Sequence, residues 1–375
     1  MSQKICTLPV LALAAFGLGA HLCAVESGEE VETPPPIEAV VEKQVPMQTE
    51  QADPLAELIA LMQQLPTPAD AQLRSVGSDA EVAFKELGPA VSIALGTAVR
   101  LQGETIFSSG PEDGLEVLIC LQGGKNHEAL AWIPTSNAEL LKTAFLLALE
   151  LDDGQITDEE SGLPARGIPL RVVARWQPDA MMEPDKWVEI DAAQLVRSRI
   201  SNRGYPALPY IYTGSHMKVV PITTSEGDVV RRERFMLEFT KSIVVNYDEP
   251  DALLASPFPV AARDVLFEVN SSIIPTERTP IEFIFSRAQL PLTLFADGEG
   301  QLRSDPAAEP LEDAALTALL RAHYHADVAP NLAAVAIAVS PGAPRELDAA
   351  LRLRLLHSAV AAQSWVVPVF TVQPK

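Results

Sequence analysis

Lys125, His127 and Glu128 stand together in the run Gly-Gly-Lys-Asn-His-Glu that begins at Gly123. An ammonium, an imidazole and a carboxylate within four residues offer two kinds of chemistry. If the run is extended, Lys125 and His127 point the same way and can converge on an anion; alternatively, His127 can act as a general base beside a cation. A second polar turn, Thr213, Gly214 and Ser215, supplies two hydroxyls and backbone amides that can face the first. The residues nominated to bind a ligand are Lys125, His127, Glu128, Thr213, Gly214 and Ser215; His127, Glu128 and Ser215 are the catalytic candidates. The competing reading is structural: a solvated Lys–Glu turn carrying a hydrogen-bonded histidine, and an ordinary Gly-Ser bend.

The remaining reactive residue types point away from chemistry. Cys120 falls in the middle of an apolar stretch, where a cysteine is a small core residue rather than a nucleophile. His323 and His325 are two apart on a helical stretch and so diverge, and His357 lies on another helix, which leaves no shared metal site. The acidic loop 151–161, with Asp152, Asp153, Asp158, Glu159 and Glu160, lacks the alternating ligands and central glycine of a calcium loop. Asp264 and Glu268 are four apart on a strand-like stretch, so they do not form a carboxylate pair. There is no phosphate-binding glycine loop, no Gly-x-Ser-x-Gly, no His-Glu-x-x-His and no paired-cysteine motif. No metal and no cofactor are expected.

The elements that must position these groups follow from periodicity. Residues 115–122 alternate with Leu115, Val117, Ile119 and Leu121 on one face, the pattern of a strand with one face in a core. Gly123 and Gly124 provide a bend, and 129–133 reads as a second strand, so the pair is expected to be a hairpin. Ser136 and Glu139 form a capping box for a buried helix that runs to about Glu150. Strands are expected at 91–100, 168–176, 187–190, 207–213, 235–239 and 242–247. Beyond residue 260 the grammar changes. Strand-like stretches at 265–269 and 281–285 precede a hairpin at 291–303, then a helix, a strand, a helix and a strand to residue 372. The fold class expected is α+β: a mainly antiparallel sheet domain with a packed helix, followed by a C-terminal α/β sandwich of hairpin, helix, strand, helix and strand.

At Ile119, Cys120, Gly124, Lys125, Asn126, His127, Glu128, Ala129 and Leu130 the chain resembles the YdjY domain of bacterial envelope proteins. The likeness extends through the helical 144–149, the Gly167-led strand 167–172, and Tyr212, Thr213, Gly214 and Ser215, covering residues 91–259. The chain departs from that pattern by extra length at 179–205 and 216–234. The resemblance implies a family name and a site, not a mechanism. From Leu290 onward the order of elements, with a turn at Asp297 and Gly298, is similar to the periplasmic domain of the ExbD/TolR transport proteins, without that family's adjoining transmembrane helix.

Composition bounds the rest. A chain of 375 residues with 47% hydrophobic content and a net charge of −22 has enough apolar material for more than one core, and it repels nucleic acid and anionic membrane. Residues 1–24, with Lys4 ahead of an apolar run, read as a secretory leader, and 25–53, acidic and holding Pro34, Pro35 and Pro36, as a disordered linker. Residues 54–90 are a helical lead-in with Leu55, Leu58, Ile59 and Met62 on one face, 91–259 the YdjY-like domain and 260–375 the C-terminal domain. With the leader removed, Cys120 is the last cysteine and no intrachain disulfide is possible. The sequence therefore describes a periplasmic or secreted protein with no transmembrane segment in the mature chain. It is expected to be a non-catalytic binding or envelope-assembly module whose partner is an unknown envelope protein or small ligand. The alternative is a hydrolase-type or metal-assisted enzyme that uses His127 as general base.

Overall fold

The computed structural model describes residues 54–373 except 77–81, 109, 111–113, 153–162, 179–182, 184, 224, 226, 248, 250, 261–265 and 325–331. The expected leader 1–24 and linker 25–53, most of the acidic loop, Asp264 and His325 lie outside the described residues.

Eight strands close on themselves: β1 (Ala98–Thr105), β2 (Val117–Leu121), β3 (Ala129–Ile133), β4 (Ile168–Trp176), β5 (Tyr210–Tyr212), β6 (Ser242–Val245), β7 (Leu254–Ala255) and β8 (Pro280–Arg287). Around the ring the order is β1, β8, β4, β5, β7, β6, β2, β3 and back to β1. The pairs β7–β6 and β2–β3 are parallel and the other six antiparallel. Alternation dictates which side chains fill the barrel. Ile168, Leu170, Val172, Ala174 and Trp176 of β4 are buried, as are Ile281, Phe283 and Phe285 of β8. Gly103 in β1 is there for lack of a side chain: a Cβ at that position would collide with the Trp132 carbonyl oxygen across the β1–β3 seam. Further strands extend the wall on both sides, Trp187–Asp191 beside β4 and Val91–Ala94 beside β1.

The expected α+β arrangement is therefore corrected. The molecule is mostly β, and its centre is a closed eight-stranded barrel with added strands rather than an open sheet with a packed helix. Periodicity shows which face of a strand is buried; it does not show which strands pair. The expected boundary after Pro259 falls before β8, the strand that joins β1 to β4. The hairpin expected over 115–133 is corrected too, because β2 and β3 run parallel, with Val117 opposite Ala129 and Leu121 opposite Ile133. Parallel neighbours ordinarily need a crossover of a dozen or more residues. Here 122–128 suffice, because seven residues reach about 25 Å and the return along a five-residue strand is about 17 Å.

The helices are α1 (Pro54–Gln64), α2 (Ala138–Leu149), the single turn α3 (Leu237–Thr240), α4 (Asp313–Tyr324) and α5 (Glu346–Ala362); α2 packs on β1, whereas α1 and α4 pack on α5 and α5 on the strand Val367–Val372. The cap of α2 is Asn137, whose Oδ1 accepts from the Leu140 N–H at 2.9 Å, one residue after the Ser136 that the capping box predicts. At its other end Arg287 donates to the Leu149 and Glu150 carbonyls, a cation on the helix C-terminus. Phe145 stacks on Tyr212 and meets Phe285 edge-on, which ties α2 to β5 and β8. Residues 293–372 form β9 (Thr293–Ala296), β10 (Leu302–Arg303), α4, β11 (Ala334–Val339), α5 and β12 (Val367–Val372), in the sheet order β10, β9, β11, β12.

One apolar core runs through barrel and C-terminal layer alike. Backbone bonds join them, from Gly167 N–H to the Phe370 carbonyl and from Ala333 N–H to the Ala207 carbonyl. At the junction Asp348, fully buried on α5, accepts a two-pronged bond from Arg166 at 2.7 and 2.9 Å and a third from Arg345 at 3.0 Å. Arg166 also donates to the Ala343 and Pro344 carbonyls, and Arg345 donates to that of Pro164. The buried Asp348 carboxylate is thus met by two guanidinium groups, Arg166 buried with it and Arg345 at the edge, which is the condition for a buried charge to be tolerated.

Two outcomes follow. Asp348→Ala should lower unfolding free energy by about 3–5 kcal/mol in urea denaturation, because it strands two guanidinium groups, while the double variant Arg166→Met/Asp348→Leu should recover most of that loss. Asp297, in the β9–β10 turn, accepts from the Gln301 and Glu299 N–H groups and from Arg303. The Gln301 and Glu299 amides and Arg303 hold its carboxyl below the usual range. A depressed folded-state value means stability present above the unfolded value near 3.8 and lost as pH falls. The Tm deficit of Asp297→Ala should therefore be clear at pH 7 and vanish in strong acid.

Candidate functional site

The 122–128 connection crosses a small apolar cluster of Val117, Cys120, Ala129, Val245 and Ala252, separate from the main core. Gly123 takes the positive φ that opens the bend, and Asn126 Oδ1 lies 3.2 Å from the Cys120 Sγ. Lys125 then anchors the loop. Its Nζ donates to the Tyr247 hydroxyl at 2.7 Å and to Glu116 at 3.1 Å, with Glu249 and Glu128 at 3.8 and 3.9 Å. Burial works against the Lys125 charge, but Tyr247, Glu249 and Glu116 outweigh it and raise the ammonium above its ordinary value. Burial in turn pushes the Tyr247 hydroxyl up to about 12 and the Glu249 carboxyl upward.

Three carboxylates around one ammonium leave this spot net negative, so it offers an incoming anion no vacant cation. His127 projects from the loop with its side chain 78% exposed, its Nε2 3.1 Å from Glu128. Glu128 is within reach of the ring, but the ring stands open to water rather than in a concave site fit for base catalysis. Cys120 is fully buried, and burial lifts its thiol to about 12, so the nucleophilic thiolate is absent at neutral pH.

Thr213, Gly214 and Ser215 are buried rather than open to a pocket. The Thr213 hydroxyl donates to the Ala252 and Leu253 carbonyls and the Ser215 hydroxyl to that of Asp251, while the Thr213 and Gly214 amides both reach Leu253. Positive φ at Gly214 and Ser215 makes the turn tight enough for this. The two glycine bends thus converge on one stretch of chain, 249–253: Lys125 holds its start and Ser215 its middle. What they share is a strap between β6 and β7, with both hydroxyls already committed. Of the histidines weighed for metal, His357 of α5 lies 3.1 Å from Glu57 of α1, and no cluster of three or more potential ligands occurs among the described residues.

Immediately after Ser215 comes an element that the sequence reading treated as inserted length. Strands Met217–Thr223 and Val229–Phe235 pair in continuous antiparallel register and join no other sheet. The register puts Met217, Val219, Pro221, Arg231 and Glu233 on one face, where Met217, Val219 and Val229 are 54, 63 and 68% exposed. Lys218, Val220, Ile222, Val230, Arg232 and Arg234 share the other face, most of it half-buried. Phe235 is buried at the base and Lys218 is 2.6 Å from Asp251, so the hairpin roots in the same strap. The signal that could have found it is local: β-branched runs at 219–223 and 229–230 flank Gly227-Asp228.

No family model, no curated protein and no solved structure matches this chain. No helix among the described residues is long and apolar enough to cross a membrane.

Because Lys125 is a clasp and His127 is not, their variants should separate. Lys125→Met should lower stability by about 1–2 kcal/mol, as loss of charged hydrogen bonds at a partly exposed site, whereas His127→Ala should leave Tm within error. Cys120 should resist iodoacetamide in the native protein at pH 7.5 and react fully in urea, followed by mass spectrometry.

Proposed function

We propose that the protein is an exported, non-catalytic binding module with YdjY-like character, and that the hairpin Met217–Phe235 is its docking element. The supporting observation is the exposed face that carries Met217, Val219 and Val229 beside Arg231. It is an apolar strip that carries Arg231 and, opposite Val219, Glu233, on a chain with 28 basic residues against 50 acidic. Lys218, Arg231, Arg232 and Arg234 outnumber Glu226, Asp228 and Glu233 by one, which makes this a slightly basic limb on an acidic body. The partner it fits is an envelope protein with a small apolar patch rimmed by carboxylates. Pro221 on one edge strand and the arginines on the other discourage strand addition, so the partner meets the face and not the edge. The YdjY-like element of the proposal rests on the residues from Ile119 to Leu130. No described observation favours the enzyme reading: the His127 ring stands in water and the Ser215 hydroxyl is committed to Asp251.

The test is a photo-crosslinking residue at Val219 in the full chain, incubated with an envelope extract. A discrete, salt-sensitive adduct is expected that is absent when the same residue replaces Leu147, an exposed apolar position elsewhere, and that is lost from Arg231→Glu at unchanged Tm. Equal adducts from positions 219 and 147, or adducts unaffected by the charge reversal, would refute it.

A further inference from the structure

A cleft of about 470 Å³ opens on the molecule away from the strap, at the small sheet made by Val196–Ser198, Arg203–Gly204 and Phe267–Val269. One wall is the segment with Thr67 and Asp70. The second is the edge strand Arg203–Gly204, and the third is Asn270 with Ser272. The size is that of a small-molecule site. Two charged side chains in it are uncommitted. Neither the Arg203 guanidinium nor the Asp70 carboxylate meets an opposite charge or a side-chain hydrogen-bond partner among the described residues, and both are exposed. Two other polar side chains of the cleft are engaged. Arg197 donates to the Asn202 carbonyl and lies near Glu268, and Asn270 donates to the Gln194 carbonyl and accepts from Ser272.

Tyr205 and Gly204 also line an adjoining slot of about 30 Å³. Its further walls include Met62, Ile200, Val260 and Trp365, with Arg203, Ser198 and Ser201 on its polar side and the Tyr205 and Trp365 rings edge to face at 6.1 Å. A polar cleft carrying one free cation and one free anion thus leads into a small apolar recess. Gly204 sits where the two meet. Its φ is not in the left-handed region, and a Cβ there would find Asn270 Nδ2 at 3.4 Å as its nearest neighbour. A side chain at 204 therefore fills the passage without straining the backbone.

We propose that this cleft binds an amino acid or the carboxyl end of a short peptide. The carboxylate lies on Arg203, the amino nitrogen toward Asp70, and part of an apolar side chain in the recess beside Tyr205 and Trp365. Each assignment follows from charge. Arg203 presents a planar donor fork suited to a carboxylate. Asp70 favours a cationic or donor nitrogen and repels a second acid group. The recess excludes a charged side chain because desolvating one there costs more than its few contacts return.

The probes are L-leucine, N-acetyl-L-leucine, L-leucinamide and the dipeptide alanyl-leucine. Each is titrated into the full chain by calorimetry, with Trp365 emission read against Trp365→Phe. Saturable binding of L-leucine is expected. L-leucinamide should bind about tenfold or more weakly, the loss of one charged hydrogen-bonded contact. Arg203→Gln should erase the difference between L-leucine and L-leucinamide, and Asp70→Asn the difference between L-leucine and its acetylated form. Gly204→Val, with unchanged Tm, should abolish binding of all four. Alanyl-leucine binding more tightly than L-leucine identifies the peptide end as the ligand, and the reverse order the free amino acid. No saturable binding by any probe up to about 10 mM, or binding indifferent to Arg203→Gln and Gly204→Val, would overturn the proposal.

Discussion

The strand from Pro280 to Arg287 holds the molecule in its shape, because it is the one that turns a curved sheet into a ring. Its inward residues Ile281, Phe283 and Phe285 fill the barrel, and outside Glu282 sits directly between Gln102 of β1 and Arg175 of β4. Gln102 donates to Glu282 at 3.0 Å, and Arg175 and Arg100 lie 3.6 and 3.8 Å from it. Without β8, both β1 and β4 present unpaired backbone to water and lose the aromatic side chains between them. Strands that meet only after 180 or so residues of chain also make closure a long-range event, so the entropy of bringing them together must be offset by the core they enclose.

A filled barrel moves binding to its periphery. With the interior occupied by packed side chains, ligands are left the outer surfaces: the strap 249–253, the hairpin rooted on it, and the small sheet near Tyr205. The strap explains why the most chemically suggestive residues are structural. A crossover as short as 122–128 needs an anchor, and Lys125 between Glu116, Glu249 and Tyr247 supplies one. Buried hydroxyls at Thr213 and Ser215 do the same for the turn facing it. The C-terminal layer adds its own fastening through Arg166, Asp348 and Arg345, where burial makes pairing obligatory.

Much of the local structure was legible, and most of the global structure was not. Alternation marks β2, β4 and β8 because one face of each is buried, and the turn at Asp297 and Gly298 followed by helix, strand, helix and strand corresponds to α4, β11, α5 and β12. The direction of β3 against β2 left no mark, since a strand has the same period whichever way its neighbour runs. Arg166 and Asp348 are 182 residues apart, and an isolated arginine before Gly167 looks like any surface charge. Lys125, His127 and Glu128 were conspicuous for their types, but type does not report whether a charge is already neutralised. The hairpin is inconspicuous for the opposite reason: its valines and arginines are ordinary residues, and their meaning lies in forming a sheet apart from all the others.

Native-state hydrogen exchange under mild denaturant tests the closed barrel most directly. If β8 closes it, the amides of β1, β4 and β8 should become exchangeable only through one common opening whose free energy equals that of global unfolding, while the hairpin Met217–Phe235 exchanges earlier. An opening of β8, with or without the C-terminal layer, at a distinctly lower free energy than β1 and β4 would contradict the account and leave the remaining strands as an independent open sheet.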